Sequence, residues 1–443
     1  MRDSMAMRNT SSFSLTSLCI GFVRWIFMIY LGVLIFYGRE WTVIHVGPVY
    51  TTDITLLVMW LGSFLLAGNS SRKFPFRIHL WAIFFVAFFQ LLHGFLIYDN
   101  VIMTLRQFAP FLYLSFAWVL FKLYSSVDSV RRLLKFIFFC SALSVAVKIA
   151  DFSPDGLLIG HYSVWGVATF IGVYLYYSAN RRMEKRFVAA GLITNILGIF
   201  SVPVRGAWIA LVLTLLFCGW VWVKKIQRKV SAKFIRNSVV GILVFMGIIL
   251  VASMINPDFE SRIASILNLG KSVTEGAGNS VAENNTKWRW LLWVDMFEAY
   301  LEKPIFGYGF GDKFMPQTIV AMGWGTGESD FMDPHNSHLH FLYMLGLIGF
   351  LVFELFFVRL VIRYIKVLRQ SAISESSKML ILSMLGAVIY IFLLANFEVV
   401  FESPYMVVYM WIALGLLFSA EKSAQRELHI TIHRLVRTQS MNS

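Results

Sequence analysis

Arg205, Arg289 and His335 are the side chains in this sequence whose type and surroundings best suit chemistry on a charged substrate. Arg205 stands in Ser201-Val202-Pro203-Val204-Arg205-Gly206-Ala207-Trp208, where one apolar stretch ends and the next begins. An ionisable group at that depth is costly and usually has a partner or a task. Arg289 lies between Trp288 and Trp290. Guanidinium stays charged and offers forked donors that match phosphate oxygens. Two such groups on one membrane face suit a diphosphate at headgroup level. Blander roles exist for both: an interfacial anchor beside Trp208 for Arg205, and pairing with Asp295 or stacking on an indole for Arg289.

His335 opens Asp333-Pro334-His335-Asn336-Ser337-His338-Leu339-His340. Neutral imidazole can take a proton from a hydroxyl near pH 7. Three histidines so close also raise zinc, but His335 and His338 can share a helical face whereas His338 and His340 cannot. No His-Glu-x-x-His run or cysteine pair completes a ligand set. We therefore expect no metal, and read His338 and His340 as buried, hydrogen-bonded histidines. Gly307-x-Gly309-x-Gly311 lacks the strand–helix context of a dinucleotide site and reads as a turn. Glu328-Ser329-Asp330 reads as a solvated loop face. Asp53, Asp151, Asp155, Glu398 and Glu402 are acids near the outer helix ends. Any of them could orient a sugar or pair with the arginines, and the sequence does not choose among them.

The elements that must position these groups are membrane helices. The chain has 443 residues, 58% of them hydrophobic and 14% charged, with a formal charge of +14. Soluble domains carry about 25% charged residues. Apolar runs such as 233–255 and 379–397 approach or pass the ~18 residues that mark a spanning helix. The basic balance follows from lysines and arginines in cytoplasmic loops and does not imply nucleic acid. Cys19, Cys140 and Cys218 fall in apolar stretches and read as packing residues. Twelve spans are expected: 18–37, 54–68, 78–97, 105–121, 133–150, 161–178, 187–202, 206–223, 235–255, 337–358, 379–397 and 404–420. The first reads as an uncleaved span.

Of the 39 basic residues, only Arg39, Arg205, Arg262, Lys271, Lys287, Arg289, Lys303 and Lys313 fall in segments on the side opposite the termini. Both termini are therefore expected in the cytoplasm. The chain divides into 1–255 with spans one to nine, a long external loop over 256–336, and 337–443 with spans ten to twelve and a tail. Within the loop, Lys287 to Leu301 spaces Trp290, Trp293, Val294, Phe297 and Leu301 for one apolar stripe. A turn follows at Glu302-Lys303-Pro304.

This constellation resembles the O-antigen ligase and polymerase family of bacterial envelope glycosyltransferases. His335-Asn336, nine residues, then Gly346-Leu347-Ile348-Gly349 fits the ligase pattern of His, a small polar residue, nine of any kind, Gly, two of any kind, then Gly. Arg205-Gly206-Ala207-Trp208 at a span start, and Arg289-Trp290 followed by Pro304-x-x-Gly307-x-Gly309, add to the likeness. The motifs cover about residues 200–350.

The resemblance implies an all-α, glycosyltransferase C-like polytopic protein of the bacterial inner membrane, with its large periplasmic loop between helices nine and ten. It implies inverting, metal-independent transfer, without a cofactor, at the periplasmic face. The donor would be a glycan on undecaprenyl diphosphate. Arg205 and Arg289 would hold the diphosphate and His335 would be the general base, with Asn336, Trp290 and Asp333 as further substrate contacts. The acceptor would be lipid A–core for a ligase, or a second lipid-linked glycan for an O-antigen or exopolysaccharide polymerase; the histidine–glycine pattern favours the ligase. A transporter or flippase for lipid-linked sugars would instead want charges in mid-span. Few are present, Arg24 and Lys148 lying near span ends. Gly346 and Gly349 would allow close helix packing and so help to place His335.

Overall fold

The computed structural model describes residues 15–38, 41–42, 44–46, 49–65, 74–124, 126–150, 161–202, 204–227, 281–317 and 334–442. Long apolar runs without internal breakers form helices, as the hydropathy pattern requires. They are α1 (Leu15–Tyr37), α2 (Thr51–Leu65), α3 (Arg77–Ile97), α4 (Val101–Tyr113), α5 (Ser115–Leu123), α6 (Val127–Ile149), α7 (Tyr162–Ser178), α8 (Arg182–Ser201) and α9 (Arg205–Val221). After these come α10 (Val281–Glu302), α11 (Ser337–Leu368), α12 (Glu375–Leu394) and α13 (Pro404–Asn442). Two two-residue strands, His45–Val46 and Val49–Tyr50, pair antiparallel before α2. The chain is a polytopic helical membrane protein in class. Among the described residues, six helices are long and apolar enough to cross a bilayer: Leu18–Tyr37, Arg77–Ile97, Arg205–Lys224, Ser337–Leu368, Glu375–Leu394 and Pro404–Glu427. The expected span 235–255 and the start of the external loop lie outside the described residues.

Two expected spans differ in detail. The stretch 105–121 is not one helix: α4 carries Pro110 and ends at Tyr113, and α5 begins only after Leu114. Proline has no N–H to donate to the preceding turn. The other is α11, discussed below. Capping follows local sequence. Asn100 accepts from the Met103 amide, Ser126 and Ser129 form a capping box, and Ser374 accepts from the Ser377 amide, each meeting a backbone donor that the first helical turn leaves unpaired.

Helix α12 and the Pro404–Glu427 part of α13 form the centre and are buried on nearly every side. Tyr390 of α12 lies over Gly166 of α7, and the Ala117 backbone of α5 lies against Gly415 of α13. A methyl group at either glycine would overlap its neighbour. The peripheral helices leave apolar faces outward instead, with Phe22, Trp25, Ile78, Phe85, Leu96 and Leu216 all more than half exposed. Surfaces this apolar are unsuited to water and fit lipid.

The turn after α10 docks into a break in α11. Gly346 has φ 65° and ψ −178°, so the helix is interrupted there. The Tyr308 and Gly309 amides donate to the Tyr343 and Met344 carbonyls at 3.0 and 2.9 Å, and the Leu347 amide donates to the Pro304 carbonyl at 2.8 Å. The backbone groups released by the break are thus satisfied by the turn. Gly307, Gly309 and Gly311 all have positive φ, in keeping with the turn reading. Gly307 and Gly346 meet backbone to backbone, with no room for a side chain on either. Gly346 is therefore a helix break and not the helix-packing glycine expected. Gly349 does pack closely, against Val86 of α3 and Leu345. Tyr308 stacks on Tyr343 at 4.6 Å and donates to Glu302 at 2.6 Å. Burial and that carboxylate push the Tyr308 phenol up to about 12, so it stays a donor.

Candidate functional site

The site is built around the connection between α12 and α13, residues 395–403. Ser337, the first residue of α11, donates its amide to the Ala395 carbonyl at 2.8 Å. Its hydroxyl accepts from the Val400 and Phe401 amides at 2.8 and 3.1 Å and donates to Glu402. This fastens the start of α11 to the connection. Asn336 caps the helix: its side-chain oxygen accepts from the Leu339 amide at 3.1 Å. Immediately before the cap, His335 takes φ 49°, a left-handed conformation uncommon outside glycine. The Trp293 indole of α10 donates to the Pro334 carbonyl, so the strained residue is held from both sides.

Helix α10 brings in Arg289. Its Nη1 donates to the Phe397 carbonyl at 2.8 Å, and its Nη2 lies 3.5 Å from Glu398 Oε1. Glu398 Oε2 lies 3.4 Å from His335 Nδ1, and Arg289 Nη2 is at the same distance from that nitrogen. The Trp288 ring meets the imidazole edge-on, with centroids 5.8 Å apart. Glu398 is largely buried, whereas the Arg289 and His335 side chains keep 25% and 34% of their surface. These two can therefore be reached from outside while their carboxylate partner cannot.

Arg205 opens α9. The next residue, Gly206, lies directly under the Phe397 side chain. Phe397 is the residue whose carbonyl receives Arg289, so a single turn is contacted by both arginine-bearing helices. At the same end, His161 caps α7 through the Ser163 amide and meets Tyr405 of α13 edge-on at 5.0 Å.

The histidine cluster separates by role. His338 places Nδ1 2.6 Å from Glu354 and Nε2 3.0 Å from the Phe392 carbonyl. His340, 1% exposed, has Nδ1 2.7 Å from Glu402. Both face inward, as structural histidines do. His335 stands beside an arginine, Arg289.

Trp290 is 47% exposed on α10 and does not enter this cluster. The stripe expected along α10 is also displaced. Leu292, Met296 and Tyr300 pack inward, while Trp290, Phe297 and Leu301 face outward. Both sides of this helix are apolar, so spacing alone does not reveal which will find protein. Asp333, Glu328 and Asp330 lie outside the described residues, as do Asp151 and Asp155. Asp53 is turned to its own neighbourhood, accepting from the Tyr113 hydroxyl at 2.8 Å. Of the five acids left open by the sequence, the site takes Glu398, with Glu402 beneath it. The Phe397 carbonyl and Trp288 carry no distinguishing signal in the sequence, because what selects them is the fold of a connection far along the chain.

Chemically, the cluster pairs an oriented imidazole with fixed positive charge. Nδ1 has an acceptor, Glu398 Oε2, and a donor, Arg289 Nη2, both at 3.4 Å; in the tautomer with the proton on Nδ1, directed at Glu398, the Nε2 lone pair is free to receive a proton. The guanidinium beside it offers a site for an anion.

A family model described as O-antigen ligase matches residues 190–353. No curated protein matches the chain. Residues 190–353, a little over a third of the chain, are thus similar to the O-antigen ligase family. The match contains Arg205, Arg289, His335 and both halves of the turn–break contact at Gly307 and Gly346. It ends before Glu398.

Proposed function

We propose that this protein is an O-antigen ligase that moves a finished glycan from undecaprenyl diphosphate to a hydroxyl of lipid A–core at the periplasmic membrane face. The observation that carries the reading is the joining of Arg289 and His335 through Glu398 at the start of α11, within or beside a domain of that family. In this reading twelve spans place both termini in the cytoplasm and 256–336 in the periplasm.

His335 Nε2 takes the proton of the acceptor hydroxyl as its oxygen attacks the anomeric carbon. The anomeric C–O bond breaks and the bonding pair leaves with the diphosphate. Inversion follows from attack opposite the leaving group. Diphosphate is a good leaving group, so no general acid is needed. Arg205 and Arg289 balance its developing charge, an effect that is large where water is partly excluded. Asn336 acts through its cap, keeping His335 in place, and Trp290 and Asp333 supply contacts to the glycan. No metal and no organic cofactor enters the scheme.

The test is the glycan phenotype of a deletion strain complemented with wild-type or His335→Ala protein. Loss of a ligase leaves long chains on the carrier lipid and none on lipid A–core, and only the wild type returns long chains to lipid A–core. Single repeats on lipid A–core would instead indicate a polymerase, whose acceptor is a second lipid-linked repeat. Loss of a secreted polymer alone would indicate exopolysaccharide.

A further inference from the structure

A cavity of about 520 Å³ lies at the opposite end of α11 from His335. The unbroken α3 begins at the cavity and ends at the external turn, where Gly94 meets the Phe310 backbone; from Arg77 to Ile97 it rises roughly 30 Å at ~1.5 Å per residue, about the thickness of a bilayer's hydrocarbon core. The cavity therefore sits at the other membrane boundary. Its floor is one face of α11, with Arg359, Arg363 and Lys366 spaced three or four residues apart, and Gln370 just beyond the helix end. Its walls are Phe76 and His79 at the start of α3, and Glu421 and Gln425 of α13.

Charge inside this cavity is not balanced. Glu421, 3% exposed, is the acid among its lining residues. Its Oε1 accepts from Arg363 at 2.5 Å and from Gln425 at 3.2 Å, and its Oε2 accepts from Tyr364 at 2.9 Å. Arg363 also lies over the Phe76 ring at 5.3 Å. That carboxylate is fully engaged. Arg359 donates instead to His79 Nε2 at 2.6 Å. An imidazole nitrogen that accepts is uncharged, so among the described residues this guanidinium meets no carboxylate. Lys366 meets no carboxylate among the described residues. General enrichment of basic residues at one membrane face explains their number. It does not explain why two such cations and two carboxamides line one concave volume.

We propose that this cavity binds the phosphate headgroup of an anionic phospholipid in the leaflet opposite the active site. Arg359 and Lys366 would contact the phosphate oxygens, and Gln370 and Gln425 the glycerol hydroxyls. The choice of a lipid over a free phosphate rests on what adjoins the cavity. Ile78, Trp81, Val358 and Ile362 are each at least 48% exposed on the same helix ends. They provide an apolar margin for acyl chains and an indole at interfacial depth. Basic pockets between membrane helices suit such headgroups.

The test uses the full-length protein in a neutral detergent and follows the midpoint of thermal unfolding. The probes are short-chain phosphatidylglycerol, short-chain phosphatidylcholine and inorganic phosphate at equal concentration. Phosphatidylglycerol is expected to raise the midpoint by several degrees, increasing with the logarithm of its concentration, while the other two do not. Arg359→Gln/Lys366→Gln loses most of that shift, and Arg359→Lys/Lys366→Arg keeps it. His335→Ala also keeps it, which separates this site from the proposed transfer chemistry. An equal shift in the glutamine variant, an equal response to phosphatidylcholine, or no response to phosphatidylglycerol would overturn the proposal. An equal response to inorganic phosphate would overturn the assignment to a lipid.

Discussion

Glu398 and His335, 63 residues apart in sequence, face each other with Oε2 3.4 Å from Nδ1. The other carboxylate oxygen faces Arg289. One acid thus lies against both the proposed base and a proposed phosphate ligand, and in the Nδ1-protonated tautomer it receives the imidazole proton. Replacing His335 with alanine is expected to lower glycan transfer by about 10²–10⁴, the usual contribution of a general base, with normal membrane insertion and amount. Glu398→Gln keeps the shape but can present an amide N–H to Nδ1. It should cost about 10-fold or more and change the pH profile of the rate. Purified protein and a lipid-linked donor would give both rates. Undiminished transfer by His335→Ala removes the proposed base. An unchanged pH profile in Glu398→Gln makes that residue a packing element only.

Arg205 is best tested by lysine. Lysine keeps the charge and most of the reach but replaces a planar fork with a point charge. If Arg205 holds a diphosphate oxygen pair and balances its developing charge, Arg205→Lys loses most transfer, with a lower kcat as well as a raised KM for the lipid-linked donor. Full activity with lysine would show that Arg205 is an interfacial anchor beside Trp208.

Transfer should be insensitive to a strong chelator. Two guanidinium groups replace the metal ion that many phosphate-handling sites use, and His335 needs no metal to take a proton. Activity measured before and after chelation, then after adding back magnesium or manganese, decides this. Inhibition reversed by a divalent ion would redirect attention to Glu328 and Asp330.

Much of the fold could be read from apolar run lengths, because a helix at membrane depth must be apolar along its length whether it meets lipid or protein. That is why α1, α3, α7, α9 and α12 begin and end within a few residues of expectation. The break at Gly346 is harder to see. Gly-x-x-Gly in an apolar run reads equally as close helix packing, and only the docked 304–309 turn distinguishes the two. The site divides in the same way. Arg205, Arg289 and His335 stand out because charge beside apolar sequence is expensive. Glu398 is one of five similar acids, and its selection depends on how the 395–403 connection wraps Ser337. Along α10, tryptophan and phenylalanine on one side outweigh Leu292 and Met296 on the other, so spacing places the buried stripe on the wrong side.

Gly346 offers the clearest test of how the external turn supports the site. Its φ of 65° with ψ near 180° is available to glycine and almost nothing else, and a Cβ there would collide with the backbone of Ile305, Phe306 and Gly307. Gly346→Ala therefore carries a backbone cost of about 1–3 kcal/mol and a steric one besides. The turn must lift away, freeing the Tyr308 and Gly309 amides and loosening the join between α10 and α11 on which Arg289 and His335 depend. Unfolding should occur several degrees lower, and transfer should fall even at temperatures where the variant remains folded. Gly21→Ala is the control, since a Cβ at Gly21 has nothing within 4 Å and a helical alanine is favourable. If Gly346→Ala retains full activity and the wild-type melting midpoint, the turn does not hold the break, and the geometry of the Arg289–Glu398–His335 cluster must be fixed by the 395–403 connection alone.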